Sequence, residues 1–434
     1  MRQINVTKVV KQFKRTFGED TLNELGKIAR FCRRERTVTP HRLALCLIET
    51  FATRPVKYIA DIQRAFNALC ATDVQYKPFH NQLAKQGFPT FVRLLLSRLL
   101  NELACQVLRF NASSPFARFG EIRIQDGTSF AVKRTLADEF PGRFTTTSPA
   151  AVELHANLEL LSEGMSAVVL TPDSAAEAQF LPPVAELAGS LLLGNRGYFG
   201  TAYLHALDQA GGAFIVRGTA SMDPLIVRAF GPEGEALKRF EGKRLKAVAG
   251  KLSKYRSVDM DACFPVGRDT FRCRLVAHTN PREDLPRYLV TNLKRETFSV
   301  AQVADGYRLR WQVELLFKEW KSSFANLHAF DTSNPHLAEG LIWAALCAAV
   351  LTRYCAHMTQ RLMQAAISTQ KVASCIRHVL TDIVQALLHD HRRLNGAVIR
   401  TVNYLSRNAR RAHPKRDRLT GRLKLGLEHV YAAA

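Results

Sequence analysis

Acidic residues are scarce in this chain. Its 434 residues carry 38 Asp and Glu against 61 Lys and Arg, a formal net charge of +23. Such an excess works against a compact state by self-repulsion unless a polyanion is nearby. Nucleic acid is the partner this charge points to, because cations that neutralise phosphates release counterions. A merely basic protein is the alternative. Long apolar runs are also missing: none reaches the ~20 residues that span a bilayer. The longest, residues 341–351, reads as a buried helix. No apolar signal segment follows Met1-Arg2-Gln3-Ile4, so a cytoplasmic, nucleoid-associated protein with no membrane partner is expected. Cysteine pairing is absent as well. Cys32, Cys46, Cys70, Cys105, Cys263, Cys273, Cys347, Cys355 and Cys375 include no CxxC pair. That argues against a zinc site and for reduced thiols in a core. Internal repeats and low-complexity segments are lacking too.

What is present is an ordinary globular composition, 47% apolar, in a chain long enough for several domains. Residues 1–115 read as helical. Thr39 and Pro40 form a helix start, followed by Leu43, Leu47 and Phe51 at helical spacing. Residues 91–108 repeat Leu and Val every three or four positions. Arg30, Arg33, Arg34 and Arg36 lie close by. A helical DNA-binding domain fits, and so does a plain bundle.

From about residue 120 the pattern changes to strands. Ile122, Ile124 and Asp126 recur at period two and share one sheet face. Val152, Leu154, Ala156 and Leu158 alternate in the same way. The Ser162-Glu163-Gly164 turn leads into a strand at 165–170. A helix is expected at 174–187, a strand at 191–193, a helix at 201–209 and a strand at 213–216. This is a mixed α/β pattern, 116–345, interrupted at about 218–290 by a basic insertion with strand-like pieces. Residues 288–293 form a strand, and Ser299 with Gln302 forms a capping box. Residues 346–434 read as helical, and 392–424 is heavily basic.

The most specific signal is Tyr307-x2-Arg310-x3-Glu314-x6-Lys321. Steps of three, four and seven return to one face of a single helix, with Trp311 beside it. A carboxylate flanked by two cations stays ionised, as a metal ligand must. Arg310 and Lys321 could hold phosphates near that metal. An exposed helix with ordinary Arg–Glu pairs has the same spacing. Asp126 is an acid on an apolar strand face, although Asp126-Gly127 is also a hairpin signal. Two-metal phosphoryl-transfer sites take carboxylates from separate elements of one scaffold.

On these residues the chain resembles the DDE transposases of bacterial insertion sequences, the IS-four-type family with the Tyr-x2-Arg-x3-Glu-x6-Lys signature. All four signature positions match. The strand at 288–293 and the Asp126-Gly127 context match as well, and the resemblance covers about 120–330. It implies an α+β chain: an RNase H-like core with a mostly β insertion, between helical N- and C-terminal domains. It implies two Mg²⁺ ions, with Mn²⁺ as a substitute, held by two Asp and one Glu. It also implies a homodimer on double-stranded DNA that cuts terminal inverted repeats and joins them to target DNA, by a hairpin or another route. By this analogy Asp126, Asn195 and Glu314 are the catalytic, metal-holding positions. Arg196, Tyr198, Tyr307, Arg310, Trp311 and Lys321 contact DNA, Trp311 by stacking on a displaced base unless it packs in the core. The C-terminal region serves dimerisation or DNA contact.

One position departs from the family pattern. Its second Asp falls in Asp-Arg-Gly-Tyr, whereas this chain has Asn195-Arg196-Gly197-Tyr198. A carboxamide offers one weak oxygen and no charge, and Mg²⁺ prefers anionic oxygens. Asp173, read as a helix N-cap, and Asp208, on the next helix, do not replace it. Two functions follow: a transposase impaired by Asn195, or a transposase-derived, sequence-specific DNA-binding protein without catalysis.

Overall fold

The computed structural model describes residues 5–32, 34, 36–279, 286–321, 330–412 and 425–430. Arg33 and the basic stretch 413–424 lie outside the described residues. The N-terminal part is helical: α1 (Thr7–Thr16), α2 (Glu19–Ile28), α3 (Pro40–Thr53), α4 (Ile59–Cys70), α5 (Tyr76–Leu83) and α6 (Gly87–Leu103). Thr39 caps α3 as expected, its hydroxyl accepting the Arg42 N–H with Pro40 in the first turn. The helix expected to reach residue 108 stops at Leu103, where the backbone turns extended at Ala104. Leu108 instead belongs to a short strand, β1 (Leu108–Phe110).

The sheet strands follow as β2 (Ile122–Ala131), β3 (Pro141–Phe144), β4 (Ser148–Glu159), β5 (Gly164–Pro172), β6 (Leu191–Gly194) and β7 (Ala213–Arg217), with α7 (Thr201–Gln209) between the last two. Next come β8 (Leu225–Phe230), α8 (Leu245–Leu252), β9 (Ser257–Val266), β10 (Asp269–His278) and β11 (Arg287–Thr291). The chain then turns helical: α9 (Val300–Arg308), α10 (Trp311–Lys321), α11 (Pro335–Met363), α12 (Thr369–Cys375), α13 (Leu380–His389) and α14 (Leu394–Asn408). Near the end, β12 (Leu427–His429) pairs antiparallel with β1.

The large sheet runs β3-β4-β2-β6-β7-β11-β10-β9-β8, with β5 also paired to β4. β2 with β6 and β6 with β7 are parallel, and the other pairings are antiparallel. The insertion is therefore an extension of the sheet: β11 pairs β7 and carries β10, β9 and β8 outward. Side chains of β6 and β7 alternate between two cores, as strands covered on both faces must. Leu191, Leu193 and Ile215 join the core with the helices at both ends of the chain. Leu192, Phe214 and Val216 join the other, with α7, α8 and the insertion strands.

Two expected elements differ. Residues 174–187 form two single 3₁₀ turns, Glu177–Phe180 and Val184–Leu187, instead of a helix. Pro182-Pro183 lies between them and denies the backbone both N–H donors and α geometry. Helix α11 is longer than its apolar run. By length and composition alone it could cross a membrane, but 83% of the relevant window is buried. It packs against α3, α6 and α14, so it is a core helix, and the boundary expected at 345 falls inside it.

A buried ion network ties the insertion to the helices. Arg274 on β10 makes a two-pronged contact with Asp259 on β9, both bonds 2.9 Å, and donates to the carbonyls of Leu293 and Phe298. Arg295 bridges Asp259 and Asp261. The strand-to-α9 connection is thereby pinned to the sheet. Removing one partner of such a group leaves uncompensated buried charge, so Asp259→Ala should destabilise the fold by about 3–5 kcal/mol in urea unfolding. Arg228→Ala, which removes a guanidinium that is 56% exposed, should cost under ~1 kcal/mol. Equal costs would contradict the network's role.

Candidate active site

The site begins with strand register. The last β2–β6 pair is Gln125 with Gly194. The next residues along the two parallel strands, Asp126 and Asn195, are therefore neighbours. Asn195 follows β6 and caps the 3₁₀ turn Arg196–Tyr198, its Oδ1 accepting the Gly197 N–H at 2.6 Å. Its amide nitrogen donates to Asp126 Oδ1 at 2.5 Å. Turning the amide over would set NH₂ against N–H on one side and oxygen against carboxylate on the other, so the two partners fix its orientation. Asp126 lies inside β2, so the hairpin alternative is overturned. Gly127 follows because a Cβ there would stand within 3.2 Å of the Tyr198 hydroxyl and closer still to Glu153.

The signature helix is not continuous. α9 ends at Arg308 and α10 begins at Trp311. Between them the bonding tightens: Arg310 N–H bonds to Tyr307 C=O, Gln312 to Leu309 and Val313 to Arg310. These are three-residue steps, as in a 3₁₀ turn. Gly306 comes so close to Phe116 that a Cβ would meet its ring at 2.7 Å. The expected single face therefore breaks at Arg310, and the break aims its guanidinium at the sheet. Arg310 pairs with Asp126 through one nitrogen and with Glu314 Oε1 at 2.7 Å through another. Its face also lies 5.7 Å from the ring centroids of both Tyr307 and Trp311. Asp126, Asn195, Arg310 and Glu314 thus form one contiguous group.

Electrostatics follow from burial. Asp126 is 5% exposed. Burial raises its pKa, while Arg310, the Gly127 N–H and Asn195 hold it back. Burial works against the Arg310 cation, but Asp126 and Tyr307, with Glu314, outweigh it and raise its pKa. The Tyr307 hydroxyl is pushed up by burial. Trp311 is 55% exposed and Leu315 51%, so Trp311 is not a core residue. Arg196 and Lys321 are exposed.

Tyr198 falls elsewhere. It is completely buried, its hydroxyl 2.8 Å from His155 Nδ1, a place that suits support of the site better than direct contact with DNA. Asp126 pairs with Ala156 across the sheet, so Glu153, His155 and Asn157 point to the opposite face. There His155 also meets Thr171, at 3.1 Å, and stacks on Phe180. Burial, with Arg143, pushes the His155 pKa down to about 4, so the ring is neutral. Burial and then Glu177 push Glu153 up to about 7. Asp173 caps no helix; it is buried and accepts the Arg143 N–H. Asp208 accepts from Asn292. The sequence signal for this polar layer is the alternation of Glu153, His155 and Asn157 with the apolar residues of β4.

The donor set can be tested against a divalent cation. Asp126 and Glu314 converge on one positive group, which is the arrangement a bridging cation needs. Asn195 presents NH₂ to that place and commits its oxygen to Gly197. Among the described residues no three His, Cys, Asp or Glu side chains form a metal-binding group. The residues suit one divalent ion and lack an anionic ligand for a second.

Comparison with known proteins adds to this geometry. The family model described as a transposase DDE domain matches residues 117–351. The chain is similar to the transposase for insertion sequence element IS231C of Bacillus thuringiensis subsp. berliner, 23% identical, covering 90% of this chain and 89% of that protein. A shorter similarity, 49% over 63 residues, is to the putative transposase InsL of element IS186A from Escherichia coli (strain K12). It covers 14% of this chain and 17% of that one. Among solved structures, a piggyBac transposase synaptic complex with hairpin DNA aligns at TM-score 0.43 and 11% identity, covering 91% of this chain and 84% of that one.

Tyr198→Phe should lower stability by about 1–2 kcal/mol in chemical unfolding, the cost of a buried bond partner lost, and leave duplex DNA affinity unchanged. Weakened DNA binding at unchanged stability would restore Tyr198 as a DNA contact.

Proposed function

The chain belongs to the family of transposase DDE domains, the DDE transposases of insertion sequences, and from that premise we propose that it handles the DNA ends of its own element at Asp126 and Glu314. Transposases of this family act on DNA and generally use divalent metal ions. The observation that carries the reading is the convergence of these two carboxylates, from β2 and α10, on a single cation. A Mg²⁺ or Mn²⁺ ion held there would polarise a phosphodiester and activate the attacking oxygen. The sheet order supports an RNase H-like core: β5, β4 and β2 antiparallel, then β6 and β7 parallel to β2.

The remaining roles follow from exposure and charge. Arg196, next to Asn195 in the chain, and Lys321, at the end of α10, are exposed and suit backbone phosphates, which fix register without reading sequence. Tyr307 orients Arg310 across its ring. Trp311, exposed beside the acids, suits a displaced base, with stacking worth ~1–3 kcal/mol. The basic residues of the insertion and the helical ends suit duplex DNA at terminal inverted repeats and target, in a homodimer within the cytoplasm. The chemical outcome is strand cleavage and joining, as in cut-and-paste transposition.

Asn195 limits that chemistry. It withholds one negative charge where metal ligands gather, so this chain binds DNA and cuts it poorly. The same residue favours a second reading, a transposase-derived, sequence-specific DNA-binding protein without catalysis. Metal-dependent cleavage of a labelled transposon end separates them. Asn195→Asp should cleave at least about a hundredfold faster than the parent chain, equivalent to ~2.7 kcal/mol of barrier. Equal, substantial cleavage by both would overturn the impairment. Silence in both, with DNA binding intact, would favour the binding protein.

A further inference from the structure

Arg310 occupies an unusual seat. Its guanidinium stands between Asp126 and Glu314, with one nitrogen on each carboxylate. It is drawn from the junction of two helices, where it fits neither helical ladder. Its side chain is 11% exposed, and its Nε–H is buried without a hydrogen-bond partner among the described residues. Here the two terminal nitrogens serve the acids and the third donor is idle. The charge count is also telling. Two carboxylates and one guanidinium leave one net negative charge, and Asn195 adds none. A divalent ion in place of the guanidinium would bring the two acids to neutrality. A divalent ion beside a retained guanidinium would instead face a like charge within a few ångströms, in a site where burial weakens screening.

We propose that Arg310 is an internal counter-ion that holds the place of a divalent cation between Asp126 and Glu314 and leaves it when the cation binds. The proposal rests on reading those two acids as the metal ligands. The seat explains how two carboxylates persist together before metal arrives. It also gives the departing guanidinium somewhere to go: Trp311, next to it in the chain, is exposed, so a DNA phosphate could meet it at the surface. Metal loading and phosphate capture are then linked through one side chain, because the metal frees the guanidinium that takes the phosphate. By reciprocity, DNA that engages Arg310 tightens metal binding.

Mn²⁺ binding to the full chain without DNA, followed by electron paramagnetic resonance of the free ion, tests this. Arg310→Gln removes the competing charge and should bind Mn²⁺ at least about tenfold more tightly than the parent. Arg310→Lys keeps a cation and should stay within about threefold of the parent, by the same charge argument. Asp126→Asn should weaken binding. Binding weakened by Asp126→Asn but not strengthened by Arg310→Gln would overturn the counter-ion role alone. Binding that Asp126→Asn leaves unchanged would overturn the metal-ligand reading and the proposal with it. If Arg310→Gln fails to fold, the parent still decides. Mg²⁺ should change its tryptophan fluorescence as Arg310 shifts relative to the Trp311 ring, and Trp311→Phe should abolish that change. Metal binding with no such change would overturn the proposal.

Discussion

Everything at the site depends on the parallel register of β2 and β6. Pairing Gln125 with Gly194 sets Asp126 beside Asn195 at the end of the ladder. A one-residue slip would turn Asp126 to the opposite face of the sheet, into the layer of Glu153, His155 and Tyr198. That layer helps exclude the slip. His155 is neutral and bonded on both ring nitrogens, and Gly127 leaves room for Glu153. The buried Arg274–Asp259–Arg295 network does the same service for the helices, by fixing the approach to α9 and so the place of Arg310.

Much of this was legible in the sequence. Period-two alternation marked β2 and β4, the Ser162-Glu163-Gly164 turn marked β5, and Thr39-Pro40 and Ser299 with Gln302 marked two helix starts that have the expected caps. The signature spacing singled out Arg310 and Glu314, and the structure brings both to Asp126. Part of what was not legible had tertiary causes. The break between α9 and α10, at 309–310, lies just beyond Gly306, whose close approach to Phe116 joins residues 190 positions apart in the chain. The helix expected at 174–187 gave way to Pro182-Pro183, a signal that was present but outweighed by the apolar pattern. The burial of Tyr198 depends on His155, a partner 43 residues away.

Asn195 is at once well placed and chemically deficient. Its carboxamide satisfies Asp126 and Gly197 together, which an ionised Asp could not do without repelling Asp126. The local structure is therefore at ease with Asn in the absence of metal. On the proposed reading of the site, stability favours Asn at this position and catalysis favours Asp, a common pattern where function requires like charges to gather. Arg310 offsets part of the same conflict for Asp126 and Glu314.

The central claim is that the chain's two acids support one divalent ion and that Asn195 removes the second. Counting Mn²⁺ ions bound per chain, in the parent and in Asn195→Asp, tests it most directly. The account predicts one ion in the parent and two in the variant. Two ions in the parent, or no increase in the variant, would contradict it.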